Sequence, residues 1–247
     1  MAYDGMMAET VRLTGHDGDE IEGYLARPLG GGPYGGVVVI HHMPGYDAGS
    51  KEITRTFAVN GYVALCPNLH YRDAPGASPG EAAAAAREAG GVPDARCVGD
   101  VAGAASYLKT LVYTNGKIGV IGYCSGGRQA YLVACSLDID AAVDCYGGRV
   151  VAPADALTER QPVAPIDMTG NLSCPLLGLF GEEDRSPSPD DVAQIREALE
   201  KHDKTYQFHT YENAGHAFFS VNRPNYRPEA AMDGWQKVLD WFGEYLS

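Results

Sequence analysis

The sequence predicts an α/β fold in which a mostly parallel sheet carries helices on both faces. From Gly36 onward, short runs rich in Val, Ile and Leu alternate with helical stretches. That alternation is typical of a parallel sheet with right-handed crossovers. The runs are continuously apolar, as expected for strands that are buried on both faces.

The strands and helices can be placed along the chain from these patterns. Alternating polar and apolar residues predict an antiparallel edge strand at 20–27. Buried strands are predicted at 36–40, 62–66, 118–121, 141–145 and 176–180, with a last strand at 206–211. Helices are predicted at 51–60, 95–111, 125–137, 190–202 and 230–246, and a short helix opens after Pro79. Residues 149–171 contain several prolines and little periodicity, so we expect a loop excursion over the active site there.

Length and charge exclude several classes of function. The 247 residues, 45% of them hydrophobic, fit a single domain over 1–247 with a sizeable core. A net charge of -13 argues against nucleic-acid binding and against docking on anionic lipid. Residues 1–9 lack the features of a secretion signal, and apolar runs such as 37–40 are too short to span a bilayer. We therefore expect a cytoplasmic protein with no nucleic-acid or membrane partner, as a monomer or small homo-oligomer.

One of the six cysteines stands in a motif that indicates catalysis. An apolar strand leads into Gly122-Tyr-Cys124-Ser-Gly126-Gly127, and a helical pattern follows. This is the nucleophile elbow of α/β-hydrolases with cysteine in place of serine. The sharp turn needs small neighbours, and the helix N-terminus behind Cys124 favours a thiolate. The alternative is a glycine-rich turn around a buried cysteine, which is what we expect of the other five cysteines.

The rest of a catalytic triad follows in the order that the α/β-hydrolase fold requires, nucleophile, acid, histidine. Asp184 comes after the strand that ends near Phe180 and is the predicted acid. Glu182 and Glu183 compete for this role, but we interpret them as solvated loop charges. His216 follows the last strand in a loop of small residues. It would exchange a proton with the thiol and activate water, while Asp184 fixes its tautomer.

Two backbone N–H groups should form an oxyanion hole. One is the N–H of Ser125, directly after the nucleophile. The second comes from the loop His41-His42-Met43-Pro44-Gly45, where Pro44 has no N–H to offer. We favour Met43, with Gly45 as the alternative.

Other candidate residues surround this predicted site. His42 and Tyr146 are candidate residues of the substrate pocket, although Tyr146 fits aromatic core packing equally well. We expect no metal at His41 and His42, because neighbouring residues of a strand point to opposite faces and no further ligand is suitably spaced.

These motifs resemble the dienelactone hydrolase family (carboxymethylenebutenolidase-like) from Glu22 to Leu246. The similarity rests on the cysteine elbow, on Gly181-Glu-Glu-Asp184 and on Ala214-Gly215-His216. Further similar stretches are Cys66-Pro-Asn-Leu-His-Tyr-Arg72-Asp-Ala-Pro75-Gly76 and Val98-Gly-Asp100. The resemblance implies hydrolysis of a small-molecule lactone or activated ester with no cofactor.

The chain departs from the family pattern at three positions. The family's thiol-contacting glutamate is missing from the loop at 41–45, and His42 is the nearest candidate to replace it. The two arginines with which the family grips its substrate have no clean match, since Arg223 and Arg87 are both shifted. The resemblance therefore supports the fold and the triad, and it leaves the substrate open.

A cysteine nucleophile itself narrows the substrate. Thiolate leaves a tetrahedral intermediate more readily than an alkoxide or an amide does, so productive acylation needs a good leaving group. We expect enol lactones, aryl esters or thioesters to be preferred over amides. The alternatives are a non-catalytic binding module on the same fold and a redox sensor in which Cys124 is oxidised, with Cys145 near it in space.

Overall fold

The computed structural model describes residues 5–221 and 223–247 of the chain. The strands are β1 (Met6–Thr14), β2 (Glu20–Pro28), β3 (Tyr34–Ile40), β4 (Val63–Pro67), β5 (Thr114–Tyr123), β6 (Ala141–Cys145), β7 (Leu176–Gly181) and β8 (Tyr206–Tyr211). The α-helices are α1 (Ala48–Val59), α2 (Pro79–Glu88), α3 (Asp94–Thr110), α4 (Ser125–Ala134), α5 (Pro189–Lys201) and α6 (Pro228–Tyr245).

The strands form one sheet in the order β1-β2-β4-β3-β5-β6-β7-β8. Pairing is antiparallel from β1 through β2 to β4 and parallel across the rest of the sheet. The predicted α/β fold with a mostly parallel sheet is confirmed. The prediction of an edge strand at 20–27 is wrong in one respect, because β2 is paired on both sides and β1 forms the edge.

Two hydrophobic layers cover the two faces of the sheet, and alternate residues of β3 point into each. Val38 and Ile40 belong to a layer shared with α3, α4 and α5, whereas Val37 and Val39 belong to one shared with α1 and α6. Fully burying one such side chain contributes about 1.5–3 kcal/mol relative to exposure. The continuous apolar runs of the sequence therefore correspond to strands with both faces covered.

Helix starts are fixed by capping side chains. Asp47 caps α1 by accepting a hydrogen bond from the N–H of Ser50, and Ser78 and Ser188 form capping boxes at α2 and α5. The predicted helices agree with the structure to within three residues at each end; the largest differences are at the start of α1 and at the end of α4.

The segment 149–171 joins β6 to β7 and contains two short 3-10 helices, Ala154–Ala156 and Pro165–Asn171. It is held to the loop after α2 and to α4: Arg160 Nε donates to Gly91 O (2.9 Å) and Arg128 Nη2 donates to Val163 O (3.2 Å). Its first residue, Arg149, lies at the cleft described below. That the segment covers a bound substrate stays a prediction.

Over the ranges 5–221 and 223–247, none of the helices combines the length and apolar character needed to cross a membrane.

Candidate active site

Cys124 sits on a strained turn between β5 and α4. Its backbone angles are φ 59° and ψ -121°, a conformation that non-glycine residues rarely adopt. The chain closes tightly on both sides of it. A Cβ added at Gly122 would lie 1.8 Å from Gly126 O, and one at Gly126 would lie 2.3 Å from Ile40 O. Gly122 is therefore required by the turn itself and Gly126 by the packing of the turn against β3, at the two glycine positions of the elbow motif.

Asp184 and His216 meet at the carboxyl end of the sheet. Asp184 follows β7, is buried (4% exposed), and its Oδ2 lies 2.9 Å from His216 Nδ1. Its Oδ1 accepts a hydrogen bond from Ser186 N at 2.9 Å, so both carboxylate oxygens have partners. Glu182 and Glu183 are exposed. The geometry thus pairs the histidine with Asp184.

The histidine also contacts the thiol. His216 interacts with the Cys124 thiol, and because Nδ1 is engaged by Asp184, the other ring nitrogen is the one left to face the sulfur. Burial lowers the pKa of His216, but the hydrogen bonds to Asp184 and Cys124 outweigh it and raise that pKa to about 10. The arrangement favours a protonated imidazole between two negative groups.

The Cys124 thiol is the only one of the six cysteines whose pKa is lowered. Burial raises the Cys124 pKa, but hydrogen bonds from His216 and from the backbone N–H groups of Ser125 and Met43 outweigh it and lower the pKa. For the other five cysteines, all buried, burial raises the thiol pKa. The site is built to hold a thiolate at one position.

The two backbone donors at the sulfur are the pair that the sequence predicts for an oxyanion hole. Ser125 begins α4, and Met43 lies in the loop after β3. Gly45, the alternative donor, points elsewhere, since its N–H donates to His42 O at 2.9 Å.

His42 and Tyr146, the two predicted pocket residues, are not among the residues that line the cleft at the triad. The His42 ring is turned to Asp47, with Nε2 2.9 Å from Asp47 Oδ2, and it lines a small cavity of about 80 Å³ together with Tyr123 and Phe219. Tyr146 is only 1% exposed, and its ring packs edge-on against His216 with centroids 5.2 Å apart. The structure therefore places Tyr146 behind the histidine rather than on an open wall of the cleft.

A cleft of about 570 Å³ opens over the triad. Cys124, Ser125, Asp184 and His216 line it, and so do three arginines that the sequence reasoning missed: Arg149, Arg185 and Arg227. Within the described ranges, none of the three forms an ion pair with a carboxylate; Arg149 and Arg227 donate to backbone carbonyls. They come from three separate loops, so no local pattern brings them together.

No metal centre accompanies this site in the part of the chain that the structure describes: no group of three or more His, Cys, Asp or Glu side chains there is arranged to hold an ion.

The strand order and the strained elbow at the end of β5 define the class of protein as an α/β-hydrolase. Comparison with known proteins narrows the class. A sequence model of the Dienelactone hydrolase family matches residues 21–246. A relative from Methylorubrum extorquens, named "Putative carboxymethylenebutenolidase", is 33% identical over 98% of this chain and 82% of its own length. One from Bradyrhizobium, named "Probable 2-oxo-3-(5-oxofuran-2-ylidene)propanoate lactonase", is 30% identical over 98% of both chains.

A solved structure agrees with these sequence relatives. The crystal structure of a "Putative Dienelactone Hydrolase" from Klebsiella pneumoniae superposes with a TM-score of 0.89 at 30% identity, covering 98% of this chain and all of the other. The chain therefore belongs to the dienelactone hydrolase family and is a hydrolase of that type.

Proposed function

We propose that the chain hydrolyses a lactone or activated ester through a Cys124–His216–Asp184 triad, with an acyl-enzyme intermediate. The observation that carries the proposal is that the strained elbow at Cys124 and the His216–Asp184 pair line the same cleft. His216 and the N–H groups of Ser125 and Met43 also lower the pKa of the Cys124 thiol, against the effect of burial. A thiolate, an acid–base group and an oxyanion hole are the three parts that acyl transfer needs.

Each step follows from this arrangement. The Cys124 thiolate attacks the acyl carbon, and the carbonyl oxygen gains negative charge while accepting hydrogen bonds from the N–H groups of Ser125 and Met43. The intermediate expels the alcohol or enol oxygen, which takes a proton from the imidazolium of His216, and a thioester remains on Cys124. Neutral His216 then removes a proton from water as it attacks the thioester. Collapse of this second intermediate releases the acid and restores the thiolate.

The leaving group sets the expected range of substrates. Collapse of the first intermediate expels either the thiolate or the alcohol oxygen, and thiolate leaves more readily. Enol lactones, aryl esters and thioesters should therefore react faster than matched amides. A phenyl ester and its anilide compare the two directly, and equal or faster cleavage of the anilide would contradict this preference.

Arg149, Arg185 and Arg227 add a preference for a substrate with an anionic group. The three arginines line the cleft alongside Glu183 and Asp184, and none of them has a carboxylate partner in the described residues, although the chain as a whole carries a net charge of -13. The name of the Bradyrhizobium relative describes a carboxylate-bearing lactone, which fits such a cleft. A p-nitrophenyl hemisuccinate should have a lower KM than p-nitrophenyl acetate, and Arg185→Gln should reduce that difference. Identical KM values in the wild-type protein would argue against an anionic substrate.

The triad is tested with p-nitrophenyl acetate and the variants Cys124→Ala and Cys124→Ser. The wild-type protein should turn over and show a mass increase of one acetyl group on Cys124 when rapidly quenched. Cys124→Ala should lose both. Turnover that survives in Cys124→Ala would overturn the proposed nucleophile. A wild-type protein without any turnover would favour instead the binding module or the redox sensor on the same fold.

A further inference from the structure

The peptide unit between His42 and Met43 presents opposite ends to two different environments. Its N–H, contributed by Met43, acts on the Cys124 thiol and helps to lower the pKa of that thiol. In a trans peptide the C=O points the opposite way, and this bond is not among the cis peptides of the described residues. Whatever holds the carbonyl of His42 therefore sets the direction of the Met43 N–H.

Two donors hold that carbonyl. The N–H of Gly45 donates to His42 O at 2.9 Å and closes a tight turn, in which Gly45 has a φ of +107°. The second donor is the side chain of His41, whose Nδ1 lies 2.9 Å from the same oxygen.

The protonation of His41 is fixed by its other nitrogen. The N–H of Leu69, just past the end of β4, donates to His41 Nε2 at 3.2 Å. Nε2 is thus an acceptor, the ring proton stands on Nδ1, and Nδ1 donates to the carbonyl. The ring is 3% exposed and packs edge-on against His70, with centroids 4.7 Å apart. Burial, with a smaller contribution from His70, lowers the pKa of His41 to about 3, so the ring stays neutral.

We propose that His41 is a positioning residue for the oxyanion hole: by donating to His42 O it holds the His42–Met43 peptide and directs the Met43 N–H at the reacting centre. The inference rests on the proposed function, in which Met43 supplies one of the two oxyanion donors. A donor acts in catalysis only if it is already oriented when charge develops on the oxygen. A hydrogen bond at the C=O end also polarises the peptide and strengthens its N–H as a donor.

Two substitutions separate the two hydrogen bonds of the ring. His41→Asn places an amide donor near the position of Nδ1 and keeps the bond to His42 O. His41→Gln places an amide oxygen near the position of Nε2 and keeps the acceptor for Leu69. Both variants lose one buried hydrogen bond, so a merely structural role predicts similar losses of stability and activity in the two.

The positioning role predicts a difference in catalysis. His41→Gln should lower kcat by about tenfold or more, up to the 10²–10³-fold loss that removal of a whole oxyanion donor produces, with little change in KM. It should also move the pH midpoint of Cys124 alkylation upward, because Met43 supports the resting thiolate as well. His41→Asn should keep most of kcat and the wild-type midpoint. Equal kcat values and midpoints in the two variants, at temperatures where both are folded, would overturn the role.

Two further measurements distinguish a failure of the proposed role of His41 from a failure of the proposed nucleophile. The ¹⁵N shifts of His41 in the wild-type protein should show a protonated Nδ1 and a bare Nε2, and the opposite tautomer would overturn the inference without any variant. Cys124→Ala serves as the parallel control. If Cys124→Ala still hydrolyses ester, the proposed nucleophile fails; if Cys124→Ala is inactive while the two His41 variants behave alike, only the role of His41 fails.

Discussion

Two histidine–aspartate pairs lie near the carboxyl ends of the parallel strands, and their nitrogen–oxygen distances are equal. His216 Nδ1 is 2.9 Å from Asp184 Oδ2, and His42 Nε2 is 2.9 Å from Asp47 Oδ2. Judged by that distance alone, either pair could be the acid–base pair of a triad. What distinguishes them is the third group that each pair touches.

The first pair is directed at the thiol and the second at a helix. His216 uses its other nitrogen on Cys124, whereas Asp47 uses its other oxygen, Oδ1, to accept from Ser50 N at 2.9 Å and so caps α1. Burial raises the pKa of Asp47, but the hydrogen bonds from His42 and Ser50 outweigh it and hold that pKa well below its usual range. A short His–Asp contact therefore does not identify a catalytic pair; its connection to a nucleophile does.

Replacing each of the two histidines by alanine should give the largest difference in kcat between the two pairs. His216→Ala should lower kcat for an aryl ester by about 10²–10⁴-fold, because general acid–base transfer is lost. His42→Ala should change kcat by less than about tenfold, since no proton in the proposed reaction passes through that ring. Steady-state kinetics of both variants, with folding checked by circular dichroism, make the comparison. Similar losses in the two variants would contradict the assignment of the acid–base role to His216.

The pH dependence of Cys124 alkylation also distinguishes His216 from His42. The Cys124 pKa is lowered from an ordinary value near 9, so the rate with iodoacetamide should rise with pH with a midpoint below pH 9. In His216→Ala the hydrogen bond and charge are gone while burial remains, so the midpoint should move to higher pH. In His42→Ala the midpoint should stay in place. A clear shift in His42→Ala would instead support the hypothesis that His42 replaces the family's missing glutamate.

The triad can be predicted from the sequence because its members follow strands. Cys124 comes directly after β5, Asp184 and His216 follow β7 and β8 within a few residues, and the carboxyl ends of parallel strands meet at one edge of the sheet. The elbow adds a local signal, since Gly122 is required by a backbone contact within the turn and Gly126 by the close approach of β3.

Other features depend on contacts that no local pattern records. β1 is mostly exposed, with Leu13 its one buried residue, so it lacks the apolar run that marks the strands at the centre of the sheet. The tautomer of His41 is set by Leu69, 28 residues away. Arg149, Arg185 and Arg227 reach the cleft from three different loops.

The two aspartates should differ in the property that suffers, and the smallest effect on kcat should be that of Asp47→Ala. Asp47→Ala removes the N-cap of α1, which typically costs about 0.5–2 kcal/mol in the free energy of unfolding. Urea denaturation should show this loss, and kcat should stay within a few-fold of the wild-type value. Ser188→Ala, which removes the cap of α5, is the matched control and should behave in the same way.

Asp184→Ala should reverse that pattern, because the imidazolium of His216 loses the group that orients and stabilises it. Its kcat should fall far more than that of Asp47→Ala. If Asp47→Ala lost as much kcat as Asp184→Ala, while Ser188→Ala kept the wild-type rate, the second pair would take part in catalysis. The loop that carries Met43 would then be its point of action, because His42 stands directly before the donor that faces Cys124.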